Sequence, residues 1–122
     1  MMSVYEQIIE NKIVPVVKID RVGDAVPLGR ALLEGGLPIA EITFRTEAAE
    51  ESIRAMSKEL PDLLIGAGTI VNVSQAKKAV EAGAKFLVSP GFSKGVALYA
   101  KEVGMPLFPG ACTPTKSWRL WM

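Results

Sequence analysis

Apolar residues fall along this chain in two alternating rhythms. Five short runs are apolar on both faces and read as strands: Ile13-Val14-Pro15-Val16-Val17, Ile39 to Phe44, Leu63 to Ala67, Phe86 to Ser89, and Pro106 to Phe108. Between them apolar positions recur at helical spacing. Leu28, Ala31 and Leu32 mark one helix; Ala49, Ile53, Met56 and Leu60 the next. Ala76, Ala79 and Val80 mark a third, and Val96, Tyr99, Ala100 and Val103 a fourth. Ser3 with Glu6 makes a capping box for a short opening helix. Asp24 with Pro27, Thr46, and Ser93 stand where helices begin, with Thr46 and Ser93 placed to cap them. Gly35-Gly36, Pro61, Gly83 and Gly104 stand where helices end. Pro15 sits awkwardly in its strand, because it has no N–H to donate to a ladder.

The strand starts recur about every 20–26 residues, the size of a βα unit. Strands apolar on both faces and alternating with amphipathic helices predict an α/β fold with a parallel sheet covered by helices. An open doubly wound sheet and a (β/α)8 barrel both satisfy that pattern, and periodicity does not choose between them. A complete barrel takes about 250 residues, and this chain of 122 holds about half. It reads as about four and a half βα units over residues 1–115, followed by a tail, 116–122, that fits no continuation.

Composition narrows the function classes. Apolar residues make up 49% and charged residues 22%, a globular balance. The net charge of +1 steers the chain to neither nucleic acid nor an anionic membrane. No apolar run approaches the roughly 18 residues of a membrane span. The N-terminal stretch is amphipathic and lacks an apolar signal region, so a cytoplasmic setting is expected. Cys112 is the single cysteine, which rules out an internal disulfide. The absence of histidine removes His-based metal sites and Ser-His-Asp triads. Chemistry must rest on Lys, Glu, Asp, Tyr, Ser, Thr or Cys112.

The segment Glu41-Ile42-Thr43-Phe44-Arg45-Thr46 is the best candidate for it. Strand side chains alternate, so Glu41, Thr43 and Arg45 share one face while Ile42 and Phe44 share the other. At the C-terminal end of a barrel strand the polar face opens onto the pocket. A carboxylate there can exchange protons, and an arginine can bind an anionic group. The alternative is an internal Glu41–Arg45 pair that satisfies itself. Gly66-Ala67-Gly68-Thr69 offers close backbone approach and a hydroxyl; as glycine content alone, it reads first as a tight βα turn. It matches neither the dinucleotide nor the P-loop fingerprint. Ser89-Pro90-Gly91 and Pro109-Gly110 close strands at the same level. Lys18 lies in a polar loop beside Asp20 and Arg21, and Lys85 precedes its strand at the wrong end for a pocket. Both read as solvated, although a buried lysine could form a Schiff base. Cys112 has no evident activator and reads as inert.

Taken together, Val14-Pro15-Val16, Glu41 to Thr46, Gly66-Ala67-Gly68-Thr69, Val88-Ser89-Pro90-Gly91 and Pro109-Gly110 with Thr113-Pro114-Thr115 resemble a known family. Their order and spacing are similar to those of the class I 2-keto-3-deoxy-6-phosphogluconate (KDPG) aldolases and the related 4-hydroxy-2-oxoglutarate aldolases. The resemblance covers residues 4–115. It implies a (β/α)8 TIM barrel, usually a homotrimer, that cleaves the phosphorylated keto-deoxy sugar acid to pyruvate and glyceraldehyde 3-phosphate. A lysine forms a Schiff base with the keto carbon, so the resemblance implies no metal and no cofactor. It makes Glu41 the proton shuttle, places Arg45 and Thr69 at the pyruvate-derived carboxylate, and sets Pro90 in the pocket wall. The Schiff-base lysine belongs to a Lys-Phe-Phe-Pro-like strand after the Thr-Pro-Thr segment, and the phosphate site comes later still; neither motif occurs in these 122 residues.

The tail carries an expectation of its own. The family commonly continues with Glu-Ile-Met-Glu-Ala-Met. With Asp next, and coded as GAA ATC ATG GAG GCT ATG GAT followed by G, that stretch read after loss of the first base translates as Lys-Ser-Trp-Arg-Leu-Trp-Met. This is the tail from Lys116 to Met122. A frameshift is therefore expected, with a natural short homologue as the alternative. Functionally, the expectation is an aldolase-family chain that is inactive alone; the alternative is a non-catalytic, self-associating half-barrel or partner subunit. Either way homo-oligomerisation is expected, because open sheet edges and apolar faces seek partners.

Overall fold

A computed structural model describes residues 3–11, 14–91 and 93–109. The elements are α1 (Val4–Asn11), β1 (Val16–Val17), a 3₁₀ turn (Val22–Asp24), α2 (Ala25–Glu34), β2 (Ile39–Thr43), α3 (Ala49–Glu59), β3 (Leu64–Gly68), α4 (Val73–Ala82), β4 (Phe86–Ser89), α5 (Lys94–Val103) and β5 (Leu107–Pro109). Ile13, Gly110, Cys112, the Thr113-Pro114-Thr115 segment and the tail lie outside the described residues, as does the expected boundary between 115 and 116. None of the described helices is long and apolar enough to cross a membrane.

The sheet resolves the choice that periodicity leaves open. All pairings are parallel, and the strands stand in the order β1-β2-β3-β4-β5. A doubly wound sheet reverses its strand order partway. Here there is no reversal, and residues of α2 to α5 bury into a single layer with Ala40, Ile42, Ile65, Ala67 and Leu87 of the strands. Sequential parallel strands with every covering helix on one face form an arc of a barrel wall.

The opposite face is the inner face of that arc. Its lower part is apolar: Ile39, Leu64, Phe86 and Phe108 pack together, and Ile8 of α1 closes them from below. The rings of Phe86 and Phe108 meet edge to face, with centroids 6.1 Å apart. The short opening helix is thus a plug at the N-terminal ends of the strands. Above this layer the inner face changes character, and the candidate site begins there.

Local chemistry explains most helix ends. Ser3 Oγ accepts the Glu6 N–H at 3.1 Å, and Ser93 Oγ accepts the Val96 N–H at 3.4 Å. Gly83 and Gly104 close α4 and α5 in the left-handed region, at φ 113° and 71°. Asn72, which the sequence pattern did not single out, caps α4: its Oδ1 accepts the Gln75 N–H at 2.8 Å. The Gln75 side chain in turn accepts the Val71 N–H at 2.8 Å. Asp24 stands at the start of α2 as expected, in the N-cap position, and its carboxylate pairs with exposed Arg21 at 3.2 Å. Thr46 behaves otherwise than expected: its Oγ1 donates to the Ile19 carbonyl at 2.5 Å, and α3 starts from Ala48 with no side-chain cap. A competing acceptor in a neighbouring loop takes the side chain. Pro15 is accommodated because β1 begins after it; its carbonyl accepts the Glu41 N–H at 2.9 Å.

Candidate active site

Glu41 occupies the middle of β2, in register with Val16 on one side and Gly66 on the other. It points to the inner face, with Ile39 one layer below and Thr43 one layer above. Its residue is only 8% exposed. No described residue donates a hydrogen bond to the carboxylate, and no ion pair joins it to Arg45. Burial therefore pushes its carboxyl above the ordinary value of 4.5, and the positive charge of Arg45 offsets only part of that rise. A buried carboxyl with a raised pKa exchanges its proton closer to neutral pH, which suits acid–base work.

The alternative of an internal Glu41–Arg45 pair is not met. Arg45 lies two residues past the end of β2 and is exposed, within electrostatic reach of Glu41 but not bonded to it. Thr43 shares the Glu41 face, yet its hydroxyl is committed: Oγ1 donates to the Val17 carbonyl at 3.3 Å and ties β2 to β1. Among Glu41, Thr43 and Arg45, only the Thr43 side chain is bonded to the sheet.

Gly66-Ala67-Gly68 is not a turn. The whole triplet belongs to β3, with Ala67 buried on the helix side and the two glycines facing inward. Their register explains why both are glycine. A Cβ on Gly66 would overlap the buried Phe86 ring, and a Cβ on Gly68 would overlap Glu41, standing 2.6 Å from Cδ and 2.8 Å from Cγ. The sequence signal for these neighbours was the period of two within the motif.

Thr69 follows at the C-terminal end of β3 with φ 58°. This is the left-handed region, where a β-branched residue is an outlier. Such strain costs on the order of 1–3 kcal/mol and clusters at ligand sites. Thr69 is half-buried, one step past the strand that flanks Glu41. Pro90 follows β4 and is exposed; the Ser89 hydroxyl donates to the Gly91 carbonyl and pins that turn. Glu41, Arg45, Thr69 and Pro90 thus come from three neighbouring strands, all at or beyond the level of Glu41 toward the C-terminal ends.

No lysine among the described residues is buried. Lys18 is exposed and 3.8 Å from Asp20. Lys85 is exposed and lines a cavity of about 510 Å³ with Ser3, Val80, Gly104 and Met105, at the end of the sheet opposite Glu41. Every other lysine among the described residues is also exposed. Among those residues there is also no cluster of three or more carboxylates or cysteines able to hold a metal ion.

A parallel barrel wall with a buried carboxyl in the middle of one strand, and an arginine and a threonine of positive φ just past the strand ends, has the architecture of part of a (β/α)8 barrel. The comparison with known proteins makes this specific: the chain belongs to the KDPG and KHG aldolase family, whose model matches residues 4–118. It is 45% identical to the 2-dehydro-3-deoxy-phosphogluconate aldolase of Treponema pallidum over 116 residues, covering 95% of this chain and 55% of that one. Among solved structures, a 4-hydroxy-2-oxoglutarate/2-dehydro-3-deoxyphosphogluconate aldolase from TTHB1 superposes with a TM-score of 0.82 at 37% identity. That match covers all of this chain (100%) and 62% of the other. The KDPG aldolase of Legionella pneumophila, holding pyruvate as a covalent carbinolamine, gives a TM-score of 0.78 at 34% identity, over 88% of this chain and 52% of that one. The chain spans about half the length of the curated relatives it matches.

Proposed function

We propose that this chain carries the acid–base and carboxylate-binding part of a class I aldolase site for 2-keto acids. The observation that supports it best is the Glu41 carboxyl, buried without a donor among the described residues at the pocket level of the wall. In this chemistry an amine adds to the keto carbon, giving a carbinolamine that loses water to an iminium. The carbon–carbon bond beyond the adjacent carbon then breaks, and protons must move to and from the reacting atoms at each step. Glu41 moves those protons. Arg45 and Thr69 hold the carboxylate of the pyruvate half, and Pro90 forms part of the wall. The substrate this implies is 2-keto-3-deoxy-6-phosphogluconate, released as pyruvate and glyceraldehyde 3-phosphate. A phosphorylated substrate of this kind goes with a cytoplasmic setting, and the chemistry calls for neither metal nor cofactor.

The amine is the missing part. No described lysine is buried, and Lys18, which follows β1 at the C-terminal end of the sheet, is exposed and 3.8 Å from Asp20, so turnover needs a lysine from outside the described residues. The test is borohydride reduction in the presence of pyruvate. The mass of the chain is expected to stay unchanged, and a pyruvate adduct on Lys18 or Lys85 would overturn the assignment. Binding is tested separately: pyruvate should shift the amide signals of Arg45 and Thr69, and Arg45→Ala should weaken it about tenfold or more. An absence of any shift there sinks the carboxylate-site reading.

The reading of the chain as a self-associating half-barrel has its own support. Within the described sheet β1 and β5 each have one neighbour. Val16, on the inner face of β1, is 64% exposed. We infer homo-oligomerisation through these edges. Light scattering should show a species larger than one chain; a monodisperse monomer contradicts it.

A further inference from the structure

Glu41 reaches its buried position through a gap in the neighbouring strand, and the gap is one residue wide. On the inner face, β3 presents Leu64, Gly66 and Gly68 in succession. Leu64 belongs to the apolar lower layer. Gly66 leaves room for the Phe86 ring, and Gly68 leaves room for the carboxyl end of Glu41. The two glycines look alike in sequence but face different neighbours. A methyl group at Gly66 meets an aromatic ring sealed in the core, which has nowhere to go. A methyl group at Gly68 meets only the flexible end of Glu41: Oε2, Cδ and Cγ. No backbone atom is among its three nearest obstacles.

We propose that Gly68 is a positioning residue: its missing side chain is the slot that seats the Glu41 carboxyl against β3 and off Arg45. The slot sets where the proton is held, while Gly68 itself touches no substrate. Any side chain at 68 turns the carboxyl out of the slot and leaves the fold largely in place, because the obstacle it meets can swing away. The proposal rests on Glu41 being the proton carrier for its meaning, but not for its test, which reads the carboxyl directly and involves no turnover.

The experiment is a carboxyl-detected NMR titration of Glu41 in the parent chain and in Gly68→Ala, with Gly66→Ala as the comparison. In Gly68→Ala the Glu41 pKa should fall toward the usual carboxylate range, since the group regains water and comes nearer the Arg45 charge. In Gly66→Ala, where the strain falls on Phe86, it should stay where it is in the parent. An unchanged Glu41 titration in folded Gly68→Ala overturns the proposal. A second measurement covers the case in which that variant does not fold. In a Glu41→Ala background the clash is gone, so adding Gly68→Ala should change the unfolding equilibrium constant by no more than about threefold. In the parent background an overpacking cost of about fivefold or more is expected. A cost as large without Glu41 as with it also overturns the proposal. Failure of the aldolase reading leaves both outcomes untouched, so the two can be told apart.

Discussion

Glu41 and Ile42 are neighbours on β2 and face opposite environments. Ile42 points toward the helices, where it is fully buried with Ile53, Met56, Ile65 and Leu87. Glu41 points inward, where the neighbouring strand offers two glycines and the residues above are Thr43 and Thr69. The helix side is filled by side chains chosen for volume. The upper inner side is shaped by the absence of side chains, by one strained threonine and by a carboxyl that is buried without hydrogen bonds from the described residues. One strand thus carries a surface built for stability and a surface that costs stability. The second kind is expected where a site must hold a group in an unfavourable ionisation state.

The comparison can be broken first on its stable side. Ile42→Ala should destabilise the chain by about 2–5 kcal/mol, the range for deleting a large buried aliphatic side chain, read by denaturant unfolding. It should leave the Glu41 titration unchanged, and a large shift would show that the two faces are not independent. Next in size is Gly66→Ala, expected to cost about 1–3 kcal/mol through overpacking against Phe86. Phe86→Leu in the same chain should recover part of that loss; no recovery would locate the strain elsewhere. On the costly side, Thr69→Gly relieves the positive φ and should gain up to about 1 kcal/mol, while weakening pyruvate binding through loss of the hydroxyl. A gain in stability with no loss of binding would make Thr69 a strained residue without a ligand role.

The smallest effect depends on pH. The folded-state pKa of Glu41 is raised, so the folded chain holds that proton more firmly than the unfolded chain does. Its contribution to stability is fully present below the ordinary carboxylate value of 4.5 and is lost as pH rises through the folded-state value. Glu41→Gln should therefore stabilise the chain at pH 7 and give no gain below pH 4.5. Equal gains at both values would trace the effect to packing.

Much of this was legible in the sequence. Runs apolar on both faces and helical spacing placed the elements within a residue or two over the described span, because both faces of a parallel sheet are buried and leave a strong apolar signal; the exception is β1, which begins only at Val16, after Pro15. Glu41, Arg45, Thr69 and Pro90 stood out as a group through the family resemblance; in the structure Glu41 lies in the middle of β2, and the other three follow the C-terminal ends of β2, β3 and β4. What was not legible depends on who stands next to whom. Strand order, which separates the barrel wall from the doubly wound sheet, is a property of pairing and not of period. Thr46 read as a helix cap, but the Ile19 carbonyl, 27 residues away in sequence, claims its hydroxyl. Gly66-Ala67-Gly68 read as a turn because glycine usually marks one; only the register with Glu41 and Phe86 shows two slots in a strand.

The most direct measurement is the site-resolved pKa of Glu41 in the unmodified chain, from carboxyl-detected NMR across the acid to neutral range. A buried proton carrier seated in the inner face requires a value above 4.5. A value at or below it would mean that the carboxyl lies in water or is held by an ion pair, and would contradict the assignment of Glu41 as the proton carrier.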